Sequence, residues 1–420
     1  MSEPSAHLAV MDAYTSPTTQ KVLGERELIG LMAMLMSLQA FGIDAMLPAL
    51  GAIAGELGVT GNDRQFVISA YFLGAGMGAL FPGAFADRFG RRPILALGIL
   101  SYIVLSLACA FSTSFEILIG LRIAQGILCA GLSVVPAAIV RDRVGGDRMA
   151  RLMSLIMMIF LVVPIVAPAI GQAILVIAGW RAIFGAMAIV AMIVGGWAWF
   201  RLPETLAPEN KQEIDPRTIL RNMRAALLNR SAIGYVVGSS LVFGSLFGFL
   251  NSAQQLISES FGAGDRFALI FGSAVIGMVF ANFTNSRIVE RFGARRVSHT
   301  ALFAFIAISA LQLWSASHQP QSLAHFIVLM ALAMAMLGFI GSNFSSIAMQ
   351  PFQSIAGAAS SAHTSVRMTS GAVLGGLIGQ TFDGTAGPLA AAMLICGFAA
   401  LAIVLFSERG KLFGRRMVTA

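Results

Sequence analysis

The sequence predicts an all-α integral membrane protein: twelve transmembrane helices in two pseudo-symmetric six-helix bundles. Three observations predict it: a composition too apolar for water, two sets of six apolar runs, and a charged phrase written twice. The chain has 420 residues, 57% hydrophobic and 11% charged, with a mean hydropathy of +0.80. A soluble domain carries roughly a quarter charged residues, so this chain cannot cover itself for water. Its 44 glycines suit helices that approach closely in lipid. The net charge of +8 reads as loops biased to one side of a membrane rather than as a nucleic-acid footprint. Cys109, Cys129 and Cys396 fall inside apolar runs and form no disulfide or metal framework. Residues 1–27 are polar and lack the features of a cleaved signal peptide.

An apolar run of about 20 residues crosses a bilayer as a helix. Such runs lie near 28–50, 65–86, 93–113, 116–140, 152–178 and 180–200. They resume near 231–255, 266–286, 297–317, 324–349, 356–380 and 387–406. The organisation is thus a tail (1–27), a six-helix bundle (28–200), a linker (201–230), a second bundle (231–406) and a tail (407–420). The linker carries Arg201, Lys211, Arg217, Arg221, Arg224 and Arg230, with an amphipathic stretch at 216–228. With both termini and the linker in the cytoplasm, 23 of the 28 Lys and Arg residues lie on that side. This excess follows the positive-inside rule.

Span 1 contains Gln39, Phe41 and Asp44, and span 2 contains Tyr71 before ending in GAFADRFGRRPI, residues 83–94. Span 4 contains RIAQG, with Arg122 and Gln125, and span 5 contains Pro164, Pro168 and Gly171. Span 7 contains Phe247, Asn251 and Gln254. Span 8 ends in SRIVERFGARRV, residues 286–297, which repeats the span 2 phrase at an offset of 203 and aligns Asp87-Arg88 with Glu290-Arg291. AIGQ (169–172) in span 5 returns as LIGQ (377–380) in span 11, at an offset of 208. Fixed-offset similarity between two six-helix halves marks a duplicated unit, and parallel repeats with a site between them describe one transporter architecture.

GAFADRFGRRPI resembles the loop 2–3 signature of the major facilitator superfamily, with Gly83, Asp87, Arg88, Gly90, Arg91 and Arg92 in the expected order. RIAQG resembles the span 4 motif, VPIVAPAIGQ (163–172) the span 5 motif of antiporters, and FGIDAMLPAL (41–50) the span 1 motif of twelve-helix drug:proton antiporters. LPETL (202–206) and GAASSAHTSVR (357–367) are similar to the bicyclomycin and chloramphenicol resistance branch. The chain differs from that branch at Ala45-Met46 and at Gln172, where a second glycine is common. The resemblance implies a major facilitator fold working as a multidrug or antibiotic efflux antiporter. It also implies that Asp87 meets the start of span 11 and latches the cytoplasmic side shut, with Glu290 and Arg291 as the second copy. The alternative is that Arg88, Arg91 and Arg92 only fix topology.

Ionisable groups inside a span are costly and mark function by default. Three lie well inside: Asp44, Arg122 and Arg367. At 1.5 Å per residue, Asp44 and Arg122 come to about the same depth. Asp44 is the candidate proton carrier, because burial raises a carboxyl pKa while a nearby arginine lowers it. Its alternative is a structural partner of Arg122. Arg122 is expected either to orient Asp44 or to bond main-chain carbonyls of kinked span 5. Pro164, Pro168 and Gly171 are expected to bend that span. Span 11 shows Ser360, His363, Thr364, Arg367 and Gly371 as one polar stripe, which in lipid must face protein or water.

The expected substrate cavity takes Gln39, Phe41, Tyr71, Gln125, Phe247, Asn251, Gln254, His363 and Arg367, aromatics with a few convergent polar groups. The favoured function is proton-coupled export of small neutral or anionic amphipathic compounds by alternating access, with uptake of a metabolite as the alternative. A membrane enzyme is disfavoured, because no zinc-protease, nucleophile-elbow or phosphate-loop motif occurs. A membrane sensor would usually carry an added soluble domain. The expected partners are a small-molecule substrate, protons and the bilayer, with no nucleic acid, cofactor or metal. The expectation is a monomer in the inner (plasma) membrane.

Overall fold

A computed structural model describes residues 23–144, 146–211, 216–318, 320–352 and 355–413. Most of the N-terminal tail, residues 212–215 of the linker and the last seven residues of the C-terminal tail lie outside the described residues.

Span 1 is two helices, α1 (Glu25–Asp44) and α2 (Leu50–Leu57), joined through a 3₁₀ turn at Leu47–Ala49. The sequence pattern alone reads this span as one rod. Pro48 explains the break, since it lacks an N–H and its ring collides with the carbonyl four residues back, that of Asp44. Span 2 is α3 (Phe66–Gly78) and α4 (Pro82–Phe89), bent by 48°. Span 3 is α5 (Arg91–Ala110), and span 4 is α6 (Phe115–Cys129) with α7 (Gly131–Arg143). Span 5 is α8 (Gly146–Phe160) and the first part of α9 (Val163–Arg201), whose remainder is span 6. Gly179, at φ 78° and ψ 175°, separates them. Only glycine adopts that backbone freely.

The linker contains α10 (Pro216–Leu228). Span 7 is α11 (Arg230–Gln255), which ends in a π-helical turn at Leu256–Ser260. Spans 8 to 12 are α12 (Phe267–Phe292), α13 (Ala294–Ser317), α14 (Leu323–Met349), α15 (Ala356–Gln380) and α16 (Gly387–Ser407). Among the described residues, nine helices are long and apolar enough to cross a membrane unaided, and the bent α3–α4 pair makes ten. Twelve are reached because one of the nine contains both span 5 and span 6, and because the polar stripe of α15 lowers its hydropathy.

The outer faces are oil: Val176, Ile177, Phe200 and Leu269 are each more than 70% exposed. Arg122, Gln125 and Asn251 are fully buried. This inversion is what lipid demands. The duplicated phrase makes the same corner twice, with Gly90 at φ 107° and Gly293 at φ 85°.

The halves touch through α3 against α15, α9 against α12, and α11 against α2 and α3. Close approach is set by small residues: a Cβ on Gly76 would lie 2.4 Å from Thr369 Oγ1. The hydrogen bonds that join the halves gather at the end opposite the linker. There Asn62 donates to the carbonyls of Gln380 (3.0 Å) and Phe382 (2.9 Å), and Gln65 bonds Gln255. Arg64 pairs with Glu259 at 2.6 Å, and Ser69 donates to Asn251 at 2.9 Å. Gln172 donates to the carbonyls of Gly264 and Asp265 and accepts from the N–H of Ala268, so span 5 caps the start of span 8.

Candidate functional site

The break in span 1 builds the centre of the first half. With the helix interrupted, the N–H of Met46 turns to Ile43 and the Gly42 carbonyl loses its partner along the helix. Arg122 supplies the donor, from Nη2 at 3.0 Å. Its Nε donates to the Val67 carbonyl of α3 at 3.2 Å, and its Nη1 to Gln125 Oε1 at 2.8 Å. Gln125 passes the chain on to Ser106 Oγ at 2.8 Å. The guanidinium lies 4.4 Å from the centre of the Tyr71 ring, a cation–π contact in a dry site. Arg122 is thus satisfied by neutral acceptors on spans 1, 2 and 4. Of the two roles open to it, the structure realises the bonding of carbonyls, but on spans 1 and 2 rather than span 5.

Asp44 is the last residue of α1 and is buried. Its carboxylate makes no hydrogen bond or ion pair with another described residue, and no Asp44–Arg122 pair forms. The geometric reason is that Arg122 spends its donors on Gly42, two residues earlier. The depth match expected from the sequence therefore holds for the segment, while the direct pairing does not. Gly171 of span 5 seats on the break, since a Cβ there would lie 2.0 Å from the Ala45 carbonyl. Pro164 falls in the first turn of α9, where a missing N–H costs nothing, and Pro168 lies inside that helix.

The residues expected to line a cavity divide into groups. Gln39 donates to the Cys129 carbonyl at 2.9 Å and ties span 1 to span 4. Phe41 is buried on the same helix, and Tyr71 and Gln125 surround Arg122. Phe247 stacks on Phe72 across the halves, ring centres 4.0 Å apart. Asn251 and Gln254 belong to the inter-half contacts: Asn251 accepts from Ser69 and Gln254 accepts from Arg64 at 3.3 Å. His363 lies toward the linker end, edge-on to Phe352 at 5.7 Å. Arg367 reaches Ser345 Oγ at 3.4 Å and stands 4.6 Å over the Phe243 ring, with no acid paired to it among the described residues.

The expected latch is placed differently. Asp87 pairs with Arg91 one turn along, and Arg91 Nε pairs with Asp142 of α7 at 2.9 Å. Glu204 accepts from the main-chain N–H groups of Arg91 (3.0 Å) and Arg92 (3.1 Å). Arg92 donates to the Trp199 carbonyl at 2.7 Å. Asp87 therefore bonds within its own half instead of reaching the start of span 11, because Arg91 lies four residues away on a continuous corner. Gly83 faces that start, with Ser361 Oγ 3.9 Å from where its Cβ would stand, and Arg88 is exposed. In the second copy Glu290 and Arg291 are exposed on α12, and Arg295 takes the bridging position. Arg295 bonds Glu408 at 2.8 Å and Gln350 at 3.3 Å. The sequence reading missed Asp142, Glu204 and Glu408, though the acid of LPETL was visible. It also missed Asn62, Arg64 and Gln65, which look like ordinary span-end polar residues.

Two six-helix halves around buried charges, joined by hydrogen bonds at one end, have the architecture of a secondary transporter. The chain belongs to the major facilitator superfamily, whose family profile matches residues 31–264. It is 30% identical over 366 residues to the bicyclomycin resistance protein homolog of Haemophilus influenzae, covering 87% of this chain and 92% of that one. It is 30% identical over 332 residues to the multidrug resistance protein MdtL of Klebsiella pneumoniae, covering 78% and 82%. Among solved structures, the D-xylose-proton symporter superposes with a TM-score of 0.69 at 16% identity, covering 93% of this chain and all of that one. The human organic anion transporter MFSD10 gives 0.63 at 17%, covering 92% of this chain and all of that one.

Proposed function

We propose that the protein is a proton-coupled exporter of small neutral or anionic amphipathic compounds, with Asp44 as the proton carrier. The observation that carries this reading is a buried carboxylate without an ionic partner, at a helix break in the first half. Such a group is cheap to hold protonated and costly to hold ionised, so its proton can follow a change of access. Arg122 acts as a positioning residue, holding the broken helix of span 1 that presents Asp44. The names of the bicyclomycin and multidrug resistance relatives support efflux of drug-like compounds.

The basic linker end is the cytoplasmic end in this reading, in an inner membrane with both termini inside. The hydrogen-bonded end is then the external gate, closed in this structure. Alternating access requires that set of bonds to break while the Arg91 corner carries the other side. Arg367, with no acid paired to it among the described residues, makes the interior net positive and disfavours cationic substrates. The test is uptake into liposomes by the purified protein, screened over neutral, anionic and cationic compounds with an imposed pH gradient. Substrate movement that ignores the gradient contradicts the reading.

A further inference from the structure

α14 packs along both α12 and α13, whereas α12 and α13 diverge from their corner at Gly293. The wedge between them is a cavity of about 640 Å³, floored by Met336 and Phe339 of α14. Its walls include Phe292 of α12 and Thr300 and Ala304 of α13. Phe413 closes one end, and Arg296 stands exposed at the mouth with its Nε on the Phe413 carbonyl at 3.3 Å. From Arg296 to Ala304 the helix rises about 12 Å, so a cation at the helix start sits above apolar walls. That is the outline of one amphiphile standing in one leaflet.

Charge points to its sign. Arg287 and Arg291 lie at the same end, and Glu290 is the one acid in SRIVERFGARRV. Arg295 is neutralised by Glu408. In the first copy Arg91 crosses to Asp142 and α4 packs on α5. At the offset of 203, Ala294 stands in place of Arg91, and Arg295 turns instead to Glu408 and Gln350.

We propose that this wedge binds an anionic phospholipid of the linker-side leaflet, its phosphate on Arg296 and an acyl chain between α12 and α13. A juxtamembrane arginine attracts anionic lipid by an amount that corresponds to about a fivefold change in affinity. The site is independent of the direction of transport and of proton coupling.

The test uses the full-length protein, titrated with phosphatidylglycerol or phosphatidylcholine and read by native mass spectrometry. Wild type should retain one phosphatidylglycerol in preference to phosphatidylcholine. Arg296→Gln should weaken phosphatidylglycerol about fivefold and leave phosphatidylcholine unchanged, while Ala304→Trp should displace both. Phosphatidylglycerol with a photoreactive acyl chain should label α12, α13 or α14 within the wedge. Equal retention of the two lipids, unchanged affinity in Arg296→Gln, or labelling elsewhere would each overturn the proposal. Arg296 is an exposed position, so that variant remains informative even if the tryptophan variant does not fold.

Discussion

Arg122 Nη2 and the Gly42 carbonyl are joined at 3.0 Å, linking a fully buried cation to the main chain two residues before the buried carboxylate of Asp44. The bond exists because span 1 is broken, and the break exists because of Pro48. A carbonyl freed inside lipid must find a donor, and a guanidinium can serve three acceptors at once. The arginine thereby holds the shape of the segment that displays the acid without neutralising the acid itself.

Arg122→Lys separates that fork from its charge. Lysine keeps a cation but cannot span Gly42, Val67 and Gln125 together. Two lost charge-assisted bonds predict a destabilisation of about 3 kcal/mol and a lower unfolding temperature in detergent. An unchanged unfolding temperature would show that the three acceptors do not need the fork.

Arg91 bridges Asp87 and Asp142, so those two acids should act as a unit. Asp87→Asn and Asp142→Asn are each expected to slow turnover roughly tenfold, equivalent to about 1.4 kcal/mol. The double variant should be little worse than either, because neighbours in one network are not additive. Glu290→Gln should have a small effect, since the second copy bridges through Arg295 instead. Additive losses at Asp87 and Asp142, measured as transport at matched expression, would argue against a shared partner.

Gly379 leaves room for the Gln65 side chain, whose Oε1 would lie 1.6 Å from a Cβ. Gly379→Ala should therefore loosen the end opposite the linker and favour the form open there. Spin labels at 60 and 265 should report a longer or broader distance distribution in the variant. An unchanged distribution would mean that the Gln65–Gln255 bond does not hold that end closed.

Among the described residues Arg367 has no acid paired to it, and its charge should repel cationic substrates across a low-dielectric interior. Arg367→Gln should improve competition by cationic analogues relative to matched neutral ones. Cations that compete best in wild type would contradict the charge argument. Cations that gain nothing in the variant would place Arg367 away from the substrate path.

The twelve-span plan is legible in the sequence because lipid forces an apolar run for every crossing. Span 11 is the least apolar of the twelve runs, because Ser360, His363, Thr364 and Arg367 form a polar stripe along it. The corner at Gly179 is legible as a small residue between two apolar runs. The partners of Arg122 are not, because main-chain carbonyls have no residue signature and Gly42 offers one only after the helix breaks. The bonds of the Asp87 corner in this structure are hidden for a related reason. The phrase carries its own acceptor and donor, and Asp142 completes the set from about fifty residues away.

The most direct test of the central claim is transport by Asp44→Asn in proteoliposomes under an imposed pH gradient, beside exchange of labelled for unlabelled substrate without one. An amide has the shape of the acid but cannot exchange a proton in the carboxylate's range. Gradient-driven accumulation should fall to background while substrate binding or exchange persists. Gradient-driven accumulation at the wild-type rate would contradict the assignment of Asp44 as the proton carrier.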